Sequence, residues 1–144
     1  MKHNNSRKIL FACVAVLLSL GGAALAQAPV VSLSPTSLNF GPMYVNKTTP
    51  AQKVTLINTG NATLSITSIV ASGDFAQTNT CGSVVASGAD CTISITFAPT
   101  ATGSRTGALT ITHDAAAGTP HTVFLAGTGT TPLKTMSCAC TFFP

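Results

Sequence analysis

The chain has 144 residues, 45% of them apolar and only 7% charged, with five cysteines and no tryptophan. Its formal charge of +4 owes most to the amino terminus, where Lys2, Arg7 and Lys8 stand together. Beyond them Lys47, Lys53, Arg105 and Lys134 face Asp74, Asp90 and Asp114, with no basic cluster, so the electrostatic footprint of a nucleic-acid binder is excluded.

Residues 1–26 read as a secretory signal peptide. The basic start leads into an apolar run from Ile9 to Leu20, and Ala24-Leu25-Ala26 supplies a small-x-small cleavage site before Gln27. A dozen apolar residues fall short of the roughly 20 that a spanning helix needs, so cleavage between Ala26 and Gln27 is expected rather than retention as an anchor. Leu10 precedes Cys13 by three positions, as at a lipid-attachment site, but bulky Phe11 and the early place of Cys13 in the run argue against it. The remaining length suits one domain over residues 27–130, followed by a short tail, 131–144, expected to be poorly ordered. No apolar stretch with a basic stop follows Thr130, so no membrane anchor is expected after cleavage.

From Val30 onward apolar residues recur at every second position, the period of half-buried strands. Val31 and Leu33 lead to Pro35; Leu38 and Phe40 lead to Gly41-Pro42; Val54 and Leu56 lie in a third strand over residues 52–58. Asn58-Thr-Gly-Asn61 has turn chemistry and predicts a tight hairpin. In Leu64-Ser-Ile-Thr-Ser-Ile-Val-Ala71 the phase changes between Ile66 and Ile69, which predicts a bulge. Gly73-Asp74 breaks the pattern, Phe75 is expected to plug the core, and residues 79–90 read as a surface loop.

Cys91, Ile93, Ile95 and Phe97 share one parity against Thr92, Ser94 and Thr96, a strand with one buried and one wet face. Leu109 and Ile111 face inward from the next strand, and Val123, Leu125 and Gly127 from the last. No useful helical period appears. The expected fold is all-β, an immunoglobulin-like antiparallel β-sandwich of about seven strands. Residues 30–34 and 122–126 are its candidate edges.

Four ordered segments carry a resemblance. Leu33-Ser-Pro-Thr-Ser-Leu-Asn-Phe-Gly41, Val54-Thr-Leu-Ile-Asn-Thr-Gly-Asn61, Cys91-Thr-Ile-Ser-Ile-Thr-Phe-Ala-Pro99 and Gly127-Thr-Gly129 resemble the bacterial choice-of-anchor D repeat, a member of the hydin-type (ASH) immunoglobulin-like domains. The resemblance implies a non-enzymatic structural or protein-interaction module with no shared catalytic residues. Such repeats usually stand in tandem, whereas one copy is present here.

Chemistry-bearing residues are few. Cys81 and Cys91, ten apart across a flexible loop behind a signal peptide, are expected to form a disulfide rather than a redox or metal pair. Cys138-Ala-Cys140 offers either a strained bridge, an intermolecular link or two soft-metal ligands, and two thiolates do not complete a zinc site. His113 and His121 flank one turn and are expected to face solvent, with weak metal binding as the alternative. There is no glutamate, no Gly-x-Ser-x-Gly, and Asp74, Asp90 and Asp114 all fall in expected turns with a solvated role, so neither hydrolysis nor a cofactor has a visible basis. Asn46-Lys-Thr48 and Asn61-Ala-Thr63 match the glycosylation sequon incidentally. The expected role is an exported module, secreted or periplasmic, with another protein as partner and its oligomeric state open. The rivals are a periplasmic chaperone-like subunit binder and a metal or redox protein using Cys138 and Cys140.

Overall fold

The computed structural model describes residues 27–116 and 118–132. The expected signal segment with Ala26, and the tail cysteines Cys138 and Cys140, lie outside the described residues. Among those described, every regular element is a strand: β1 (Val31–Ser34), β2 (Ser37–Tyr44), β3 (Gln52–Asn58), β4 (Leu64–Ala71), β5 (Phe75–Asn79), β6 (Val84–Val85), β7 (Asp90–Phe97), β8 (Gly103–His113) and β9 (His121–Thr130). They form a sandwich of two sheets, ordered β1-β3-β7-β5 and β2-β9-β8-β4-β6. This is the expected immunoglobulin-like architecture with two more strands than the apolar alternation predicts. β5 has one buried apolar residue and β6 only two residues, too little to show a period.

Alternation places the core. Val54 and Leu56 on β3, Ile93, Ile95 and Phe97 on β7, and Leu109 and Ile111 on β8 are all fully buried between the sheets. Phe75 does enter the core, where its ring stacks on Phe97 at 4.9 Å between centroids and Phe40 packs on both at 5.6 and 6.0 Å. These rings explain two glycines. A Cβ at Gly127 would stand 2.5 Å from the Phe97 ring, and one at Gly107 would stand 2.7 Å from the Phe75 ring, so neither strand tolerates a side chain there.

The phase change in β4 is a bulge: its register against β8 shifts between Ile66 and Ser68, which lets Ile66 and Ile69 both reach the core. Three expectations are corrected. The sandwich is not wholly antiparallel, because β2 runs parallel to β9, pairing Leu38 with Leu125. The last strand is not an edge, because β2 and β8 flank it on both sides. Residues 58–61 do not close a hairpin, because β3 and β4 belong to opposite sheets.

Asn58 accounts for that last change. Its side chain is fully buried, its Oδ1 accepts from the N–H groups of Val30 and Gly60, and its Nδ2 donates to the carbonyls of Ala62 and Val85. Four backbone groups from three segments of the chain thus converge on one amide with every valence used. A buried tie of this kind turns the chain into the other sheet, where a two-residue turn would have returned it to the same one.

Candidate interaction surface

An all-β module can meet a partner through a sheet edge, a sheet face or the loops at its ends. The four edge strands are β1, β5, β2 and β6, so residues 30–34 do lie at an edge. Thr59 N–H donates to the Val30 carbonyl, which by the two-residue period turns the backbone groups of Val31 and Leu33 away from β3. That open segment is short and ends before Pro35. Of the others, β2 bulges between Asn39 and Pro42 and its Asn39 carbonyl accepts from Gln52, β5 has five residues and sends its Gln77 side chain across to the Ile69 carbonyl of β4, and β6 has two residues.

The outer face of the larger sheet differs from its surroundings. Ser37 and Asn39 on β2, Phe124 and Ala126 on β9, Thr106, Ala108 and Thr110 on β8, and Val70 on β4 lie side by side across it by register, without a charged side chain among them. Phe124 is 69% exposed on a central strand, the most exposed large apolar residue described. Beside it an open depression of about 310 Å³ is lined by Leu38, Thr106, Gly107, Leu125 and Ala126. Sequence reasoning missed this surface although the signal was there: with Val123 and Leu125 inward, parity alone sends Phe124 out.

Cys81 and Cys91 are joined by a disulfide with both residues buried, pinning the loop that carries β6 to the start of β7. Asp74 is not a solvated turn residue. It accepts from the Arg105 guanidinium and from the backbone and hydroxyl of Thr100, with its side chain only 7% exposed. The bond from Arg105 is the main reason its carboxyl is held below the ordinary range. Asp114 accepts from the Ser65 N–H, which lowers its carboxyl likewise and ties the end of β8 to β4.

His113 and His121 are close together, but His113 is buried, against the expectation that it faces solvent. Inward parity with Leu109 and Ile111 was the available signal. Nε2 of His113 lies 2.7 Å from Nδ1 of His121, and Nδ1 of His113 accepts from the Ala115 N–H. A metal on Nε2 of His113 would require the ring proton on Nδ1, where the Ala115 N–H already points, so the arrangement opposes metal binding.

A family model described as Cep192 domain 4 matches residues 28–130. No curated protein sequence matches the chain. Solved structures with a similar fold include a protein of unknown function from Porphyromonas gingivalis W83, at 16% identity and a TM-score of 0.63 over 76% of this chain and 51% of that one. They include the ASH/PapD-like domain 7 of human CEP192, at 15% identity and a TM-score of 0.55 over 72% of this chain and 87% of that one. The secreted serine protease VesC from Vibrio cholerae matches at 18% identity and a TM-score of 0.53 over 72% of this chain. The chain spans about half of the Porphyromonas protein and under a quarter of VesC, at 51% and 23%. At these identities the likeness is one of fold.

Proposed function

Because the chain belongs to the Cep192 domain 4 family of ASH-type immunoglobulin-like domains, we propose that it is an exported, non-enzymatic protein-interaction module that meets its partner through the outer face around Phe124. The observation that carries this reading is the 69% exposure of a phenylalanine on a central strand beside an open apolar depression. An aromatic ring held by a rigid sheet loses little freedom on binding, and a neighbouring hollow receives a partner's aliphatic side chain. The uncharged face admits that contact without stranding a buried charge. The edges are short or blunted, which disfavours strand addition as the main mode.

Export is supported by the buried Cys81–Cys91 disulfide, which persists in oxidising compartments such as a periplasm or the exterior, together with the signal-like amino terminus. A photo-reactive amino acid placed at Thr106 is expected to cross-link one discrete protein in the native cell envelope or medium. The same probe at Thr92, on the outer face of the other sheet, should not. Equal labelling from both positions, or persistence of the Thr106 product after Phe124→Ser, would sink the assignment of this face.

A further inference from the structure

The paired histidines carry a property independent of the proposed partner surface. His121 opens β9, where it pairs with Ile111, and His113 closes β8 two residues beyond Ile111. Their rings are 4.9 Å apart between centroids, and Ala115, two residues on, is buried at 1% exposure. The hydrogen bonds fix the proton positions. Since Ala115 N–H donates to Nδ1 of His113, that nitrogen presents its lone pair. The ring proton of neutral His113 therefore sits on Nε2 and is donated to Nδ1 of His121.

We propose that this pair is an acid-released clasp, closed when both rings are neutral, that fastens the adjoining ends of β8 and β9 and keeps Ala115 seated in the core. Protonating His121 places a proton on its Nδ1, so two N–H groups confront each other across the 2.7 Å contact. Protonating His113 places a proton on its Nδ1, and the Ala115 N–H loses its acceptor. Either proton breaks one bond of the chain Ala115–His113–His121, and no second acceptor for the Ala115 N–H is offered by those two rings. The charged and titratable groups facing His113 are few. β9 brings His121, and the end of β8 brings Asp114, whose Oδ1 is engaged by Ser65. β4 places Ile66 opposite His113, and the adjoining β6 contains only Val84 and Val85.

Burial, reinforced by His121 and opposed by Asp114, holds the His113 ring below its ordinary value. The folded state thus favours the neutral ring. Its contribution to stability is complete above the ordinary histidine range and is lost as pH falls through the lowered value of His113.

Hydrogen exchange on the intact protein reads the clasp directly. Between pH 7.5 and 5.0, with the intrinsic pH dependence of exchange removed, the Ala115 amide is expected to lose protection relative to the core amide of Ile95. The combined His113→Asn and His121→Asn variant offers non-titrating oxygens in the same places and should abolish that pH dependence. Nitrogen-15 spectra of the unaltered protein at pH 7.5 should show the His113 proton on Nε2. Unchanged Ala115 protection, a retained pH dependence in the double variant, or a His113 proton on Nδ1 would each overturn the proposal.

Discussion

Replacing Asn58 by leucine tests the tie between the sheets. The side chains are similar in volume, so the change removes hydrogen bonds without opening a large cavity. The bond to the Val85 carbonyl is fully buried, and those involving Val30, Gly60 and Ala62 are partly buried. An orphaned buried carbonyl costs about 1–3 kcal/mol and each partly buried bond contributes roughly 0.5–1.5 kcal/mol. Because the four bonds share one side chain and do not add independently, the expected loss is about 3–5 kcal/mol. That is a large share of the ~5–15 kcal/mol of a typical domain. Urea denaturation at pH 7, with the slope checked against the unaltered protein, measures it. Asn58→Asp sharpens the test. Its first oxygen still accepts from Val30 and Gly60, but its second faces the carbonyls of Ala62 and Val85, so the variant should regain stability as pH falls and the carboxyl takes a proton. A loss below about 1 kcal/mol for Asn58→Leu, at unchanged slope, would refute the reasoning that these bonds are worth their burial.

Reducing the Cys81–Cys91 bridge, or replacing both cysteines by serine, should cost about 2.5–3 kcal/mol on the chain-entropy relation for a loop of this size, read from denaturation with and without reductant. Gly127→Ala drives a methyl into the Phe97 ring and should cost at least about 1–3 kcal/mol, while adding Phe97→Leu should return part of it; a thermal scan of the single and double variants decides. The Asp74 carboxyl, held low first by its bond from Arg105, contributes stability that is full above the ordinary aspartate value and lost as pH falls through its lowered one. Asp74→Asn should therefore lower the Tm at pH 7 and flatten its fall as the pH drops below the ordinary aspartate value. Phe124→Ser should leave stability within about 0.5 kcal/mol while abolishing the Thr106 cross-link.

What was legible in the chain follows from the range of the physics involved. The β7 alternation of Cys91, Ile93, Ile95 and Phe97 is local, and so is the phase slip between Ile66 and Ile69; each announces its structure without reference to a distant residue. Gly127 could be marked as part of a motif, but its reason lies in the Phe97 ring on another strand. Asn58 has the composition of a turn, and only the arrival of Val30, Ala62 and Val85 around it converts a turn residue into a buried tie. His113 was inward by parity, yet its partner on β9 depends on register. The same limit placed residues 122–126 at an edge: strand content is written locally, while the strand that lies beside β9 is chosen by the whole fold.

The parallel pairing of β2 with β9 bears on how the molecule comes into being. Ser37 through Tyr44 precede their hydrogen-bonding partner, His121 through Thr130, by nearly the whole domain, and that partner is the last strand among the described residues. Until it arrives, β8 and β2 both present open, apolar-backed edges, and a chain halted before β9 lacks the interior strand that joins β2 to β8. Nearly the whole domain must therefore be available before its larger sheet can close, so folding of that sheet waits for β9. If the chain is exported unfolded, as proposed above, such a delay is an advantage, because the order of its strands keeps it threadable.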